Sequence, residues 1–215
     1  MKKLALLLIS LFILTGCSDI KDLSYDGIIA NGLDNKYNYV NIYRKGYNYY
    51  LPKGLKLINN TDVNDIFTNN EYYMYLYVDR ISFYNKGAFT YQKNNEAQYS
   101  QVYENTGKKG YLEINNFEND KYLIEIMYNY AKIEVIVDKD NINESISYAI
   151  TILSSIAYNE NVIASLMDED VMNFKEEEYD IFSTISNDGN VLKYDENLKD
   201  NDVEDNYIPD TDLIN

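Results

Sequence analysis

The sequence predicts an α+β domain: an antiparallel meander of strands packed against an amphipathic helix. Three observations carry that reading. The segment Glu71–Tyr84 places Tyr72, Met74, Leu76 and Val78 on one side and Tyr73, Tyr75 and Tyr77 on the other, the period of an extended chain. Tyr122–Tyr128 and Ala131–Val137 follow as two further segments around Asn129, the second alternating in the same way. Directly after them, Ile142, Ile146, Ala149, Ile150, Leu153 and Ile156 recur at helical spacing and make one apolar stripe.

Taken in order, residues 17–36 are mixed and polar and read as a tether, with at most a short ordered piece around Leu23–Leu33. The domain is expected over residues 37–185. Tyr47-Asn48-Tyr49-Tyr50-Leu51 is rich in strand formers. Pro52-Lys53-Gly54 supplies a turn, and Leu55–Ile58 returns as a second strand, giving a hairpin. Asn59-Asn60-Thr61-Asp62 reads as a loop or helix start before Val63–Phe67, and Asn69-Asn70 breaks the chain again. Within Glu71–Tyr84, Asp79-Arg80 interrupts the alternation and reads as a bulge with a local ion pair.

Phe89–Tyr103 is polar and weakly patterned, with two short edge strands expected around Asn94-Asn95. Thr106–Gly110 is a turn, Tyr111–Ile114 a short strand, and Asn116–Asp120 turns into Tyr122–Tyr128. In the following strand Ala131, Ile133, Val135 and Val137 share one face while Lys132 and Glu134 face away. Asp138–Asn141 ends the sheet and opens the helix, with Asp140 or Asn141 as N-cap and Glu144 in a capping-box position. That helix should lie across the sheet as the second layer of the core. Val162–Met167 reads as a further helix, and Val171–Phe182 as a closing strand or second helix. From Asp195 onward eight acidic residues stand against Lys199 alone, so residues 186–215 read as a disordered acidic tail.

This order of elements resembles the α/β/α sandwich of Mog/PsbP-like proteins. Tyr50-Leu51-Pro52-Lys53-Gly54-Leu55 is similar to their early hairpin, and Ile150–Tyr158 to their late helix ending in a Ser-aromatic segment. The resemblance implies binding and assembly roles without a common active site, so it transfers no catalytic residue.

The chain opens with Met1, Lys2 and Lys3, an apolar run Leu4–Leu14, and then Leu14-Thr15-Gly16-Cys17, which holds its only cysteine. The run is of signal-peptide length and falls short of the roughly 20 apolar residues that cross a bilayer core. Ser18, Asp19, Lys21 and Asp22 end it. The arrangement resembles a bacterial lipoprotein signal peptide ending in a lipobox, with Leu14, Thr15 and Gly16 recognised by the signal peptidase. It implies that residues 1–16 are removed, that Cys17 carries a diacylglycerol thioether, and that the protein is anchored on the extracytoplasmic side of the cell membrane. Two acyl chains supply the two hydrophobic signals that stable anchoring needs, at about 0.8 kcal/mol per buried methylene.

Loss of Met1–Gly16 would remove Lys2 and Lys3 and no acid, taking the net charge from −16 to −18. That balance argues against nucleic acid as a partner and against electrostatic adhesion to anionic lipid, leaving the acyl chains as the hold on the membrane. The 24 tyrosines, with abundant Asn, Ile and Lys, fit an AT-rich genome and a Gram-positive source.

Absent residue types exclude much chemistry. With no histidine, Ser-His-Asp triads, Cys-His dyads and His-based zinc sites are not available. Lipidation of Cys17 would remove thiol chemistry as well. Gly107-Lys108-Lys109-Gly110 lacks the Ser/Thr and the strand-loop-helix context of a phosphate loop. Counted as an EF-hand from Asp168, the sixth position is Asn173 and the twelfth Tyr179, so the loop fails and the run reads as solvated charge. No metal, cofactor or catalytic residue is assigned.

Tyr73, Tyr75 and Tyr77 form the candidate binding face, with Tyr47, Tyr49 and Tyr50 beside it if the hairpin pairs there. Tyrosines offer large amphipathic contact area at low entropic cost, which suits protein or glycan surfaces. The sequence thus points to a lipid-anchored, non-enzymatic binding or accessory module of the cell envelope, with an envelope protein or glycan as partner. Alternatives are a carboxylate-dependent envelope hydrolase and the solute-binding component of a transporter.

Overall fold

A computed structural model describes residues 20–35 and 39–170, with side chains as far as residue 167. From the N-terminus the elements are α1 (Tyr25–Asp34), β1 (Ile42–Arg44), β2 (Tyr47–Tyr49), β3 (Lys56–Asn60), β4 (Asn64–Thr68), β5 (Tyr73–Val78) and α2 (Arg80–Asn85). They continue with β6 (Tyr99–Asn105), β7 (Lys108–Asn116), β8 (Tyr122–Tyr128), β9 (Ala131–Val137), α3 (Ile142–Ser155), β10 (Ala157–Tyr158) and α4 (Glu160–Asp170). The fold is mixed α+β, with antiparallel sheets. Seven strands form one sheet in the order β3-β4-β5-β9-β8-β7-β6, and β1-β2-β10 form a small second one.

One face of the large sheet is the core. In register, Met74, Val135, Ile124 and Ile114 make one row across four strands, and Leu76, Ile133, Ile126 and Leu112 the next; all are at most 1% exposed. Each such side chain contributes roughly 1.5–3 kcal/mol relative to leaving it in water. Helix α3 covers β8 and β9 with the stripe its spacing predicts, and α1 packs against α3. Gly32 of α1 permits that approach, since a Cβ there would overlap the Ile150 side chain. The small sheet closes the β4 end of the same face, where Tyr49 meets Phe67 edge-on at 6.1 Å.

β8 and β9 have the bounds the alternation predicts, joined by a two-residue turn in which Asn129 and Tyr130 take φ of 51° and 64°. Val162–Met167 lies within α4, as expected. Several local expectations are corrected. Tyr47–Tyr49 does not pair with the strand after Pro52; it pairs with β1 and β10, while β3 pairs with β4 in the other sheet. The segment after Asn59–Asp62 is strand β4, not a helix. Asp79-Arg80 is not a bulge: Asp79 caps α2 by accepting from the Ser82 N–H at 2.7 Å, and Arg80 donates to the Lys45 carbonyl at 2.8 Å. Between Phe89 and Tyr103 there is one strand, β6, preceded by an irregular segment.

No capping box forms at α3. Asn141 makes no side-chain cap, and Glu144 accepts from Tyr72 and Asn69 instead. The ordered piece foreseen around Leu23–Leu33 is helix α1, capped by Ser24, with Ile28 and Ile29 buried in the core, so the fold starts upstream of residue 37. Residue 37 itself, the signal segment, Val171–Phe182 and the acidic tail lie outside the described residues. Among the described residues no helix is long and apolar enough to cross a membrane.

Candidate functional site

The face of the large sheet turned away from α1 and α3 carries the chemistry. Alternation along β5 puts Met74, Leu76 and Val78 into the core and Tyr73, Tyr75 and Tyr77 on this outer face. Tyr73 is 47% exposed, and Tyr75 and Tyr77 are half-buried. Antiparallel register continues each tyrosine into a transverse row. Glu113, Glu125, Glu134 and Tyr75 stand side by side on β7, β8, β9 and β5, with Tyr111, Met127, Lys132 and Tyr77 in the adjacent row.

Three carboxylates on neighbouring strands repel unless each is compensated. Lys132 does this for two of them, its Nζ lying 2.8 Å from Glu134 Oε1 and 3.4 Å from Glu125 Oε2. The Tyr111 hydroxyl donates to Glu125. Burial pushes the Glu134 carboxyl up to about 8; Lys132 works against this and a hydrogen bond with Glu125 adds to it. Burial would lower the Lys132 ammonium, but the two glutamates outweigh it and hold it above its ordinary value. Lys132 is thus held between the two carboxyls as their shared ion-pair partner.

Glu113 is served differently. Asn94 and Asn115 each donate to Oε1 at 2.9 Å, and Tyr91 donates to Oε2. Although burial opposes it, these donors bring the Glu113 carboxyl below its ordinary value. The Tyr91 ring lies flat on Tyr111, centroids 3.7 Å apart with 2° between planes. The segment between α2 and β6 is thereby clamped over β7.

Beside this clamp a cleft of about 530 Å³ opens, with Tyr77, Tyr111 and Lys132 on the sheet side and Gly87–Tyr91 on the other. Lys108 and Lys109, the first residues of β7, line it too. Tyr91, Tyr111 and Tyr130 have their hydroxyls engaged with Glu113, Glu125 and the Gly87 carbonyl, so their ring surfaces are held in fixed positions.

The candidate face Tyr73, Tyr75 and Tyr77 is thus one side of a sheet, and Tyr77 joins it to the cleft. Tyr47 and Tyr49 do not belong to it: both are buried in the small sheet, at 2% and 0% exposure. Sequence reasoning passed over Tyr91 and Tyr111 and weighed Lys108 and Lys109 only as part of a phosphate loop, which it set aside; the outward facing of Lys132 and Glu134 was visible from their alternation. Leu14, Thr15, Gly16 and Cys17 lie outside the described residues. Among the described residues no group of three His, Cys, Asp or Glu side chains converges to hold a metal ion. No family model matches the chain, and neither a curated protein nor a solved structure matches it.

Proposed function

We propose that the protein is a non-enzymatic binding module of the cell envelope, anchored through lipidated Cys17 and presenting the outer sheet face to its partner. The observation that supports this reading is the tyrosine row Tyr73, Tyr75 and Tyr77, exposed at Tyr73 and half-buried at the other two, leading into a cleft with fixed aromatic walls. Rings already held in place lose little entropy on contact, which favours binding.

A carboxylate-dependent hydrolase has less support. Glycosidase carboxyls flank the scissile bond at about 5–9.5 Å, whereas Glu125 and Glu134 stand directly opposite each other on adjacent strands with the Lys132 ammonium shared between them.

The test is site-specific photo-crosslinking in intact cells, with the photoreactive residue at Tyr73 and, as control, at exposed Lys53. Adducts at Tyr73 that are absent at Lys53 are expected. Equal yields at both positions would overturn the binding face. Membrane attachment and acylation that persist in Cys17→Ala would overturn the anchor.

A further inference from the structure

Building on the binding role proposed above, we infer that the cleft beside the Tyr91–Tyr111 stack takes an acidic sugar, a pyranose ring bearing a carboxylate or phosphate. Charge selects the anion. Acidic residues outnumber basic ones 35 to 19 in the chain, yet the cleft is lined by Lys108, Lys109 and Lys132 against Asp79 alone. Asp79 is committed to capping α2, and Lys132 to Glu125 and Glu134. Both Lys108 and Lys109 are exposed, and alternation along β7 puts Lys109 on the face of Tyr111, so Lys109 is the cation that meets the ligand, with Lys108 at the rim. Outside the lining, Glu104 stands across the hairpin from Lys109, Glu113 and Glu125 accept from the Tyr91 and Tyr111 hydroxyls, and Glu134 pairs with Lys132.

Shape selects the ring. Phe89 tilts against Tyr91 and Tyr111 at 6.5 and 6.4 Å, so three aromatic side chains make one connected wall. With the tyrosine hydroxyls turned to internal partners, that wall offers C–H and π surface to a flat apolar face. Ser82, Thr90 and Asn129 stand among the rings as neutral polar side chains. A sugar uses both, stacking one face and directing its hydroxyls to the polar groups; a benzoate-like acid leaves the polar groups idle. The cleft volume, about 530 Å³, falls in the range of small-ligand sites.

Equilibrium dialysis of the full-length protein with glucuronic acid, glucose 6-phosphate, glucose and benzoate tests this. Either or both acidic sugars should bind about tenfold or more tighter than glucose and than benzoate, and which of them does so identifies the anion. Lys108→Gln with Lys109→Gln should erase the preference over glucose, while Phe89→Ala should weaken every sugar. The lysines lie exposed at the start of β7, so these replacements leave the core intact, and circular dichroism verifies the fold. Equal binding of glucose, equal binding of benzoate, or no binding at all would overturn the assignment. Crosslinking at Tyr73 reports separately: adducts there without sugar binding would leave the binding module standing and sink only the sugar.

Discussion

Glu134 stands directly opposite Glu125 on the neighbouring strand, and the ammonium of Lys132 serves both carboxyls. This makes the outer face a source of pH dependence. In the folded protein Glu134 keeps its proton until about pH 8, whereas its ordinary value is 4.5. Between those values the native state binds a proton that the unfolded chain has released, so stability falls as pH rises. The contribution is fully present below 4.5 and lost through 8. Urea midpoints should therefore decline across this window. In Glu134→Gln, which mimics the protonated carboxyl, the decline should be shallower, and an unchanged slope would refute the assignment.

Arg44 and Asp65 fasten the small sheet to the large one. Asp65 is fully buried on the core face of β4, and Arg44 reaches it through Nε at 3.0 Å and Nη2 at 2.9 Å. Tyr49 donates a further hydrogen bond to the same carboxylate. Replacing one partner of a buried pair leaves the other charge uncompensated, at about 3–5 kcal/mol. Asp65→Asn should lower stability by that order in denaturant unfolding. Asp65→Asn with Arg44→Met should recover part of the loss; no recovery would show that the charge pairing is not the cause.

How much of this was legible in the sequence depends on the range of the contacts. β8, β9 and α3 follow from periodicity because each buries its own apolar face against near neighbours. The hairpin expected after Tyr47 failed for the opposite reason. Its turn residues are adjacent, but the partners of β2 are decided by β10, more than a hundred residues onward, and by the buried Asp65. The outer face shows both cases. Alternation indicates that Lys132 and Glu134 point outward, yet only strand register aligns Glu113, Glu125 and Glu134 in one row. Tyr91 sits in a segment with no period, so nothing local announced its stacking on Tyr111.

Gly110 is a further point where register matters. A Cβ at this position of β7 would overlap the Met127 carbonyl oxygen on β8 and the Tyr103 ring on β6. The obstacle on one side is backbone, which cannot rotate away. Gly110→Ala should therefore cost more than about 3 kcal/mol, beyond ordinary overpacking. A urea midpoint within error of wild type would contradict the close three-strand contact.

Tyr91 offers the finest test of the clamp over β7. Tyr91→Phe keeps the ring on Tyr111 and removes the hydroxyl that donates to Glu113 and meets Ser100. Glu113 retains Asn94 and Asn115 as donors. Its titration, followed by carbon-detected NMR of the side-chain carboxyl, should move upward, because a donor that stabilises the charged form is gone. Stability should fall only modestly, by about 0.5–1.5 kcal/mol. Tyr91→Ala removes the stack as well and should free the segment between α2 and β6, which faster amide exchange at residues 88–95 would register. If Tyr91→Phe instead frees that segment as fully as Tyr91→Ala, the hydroxyl rather than the ring holds the clamp, and the aromatic wall of the cleft depends on Glu113.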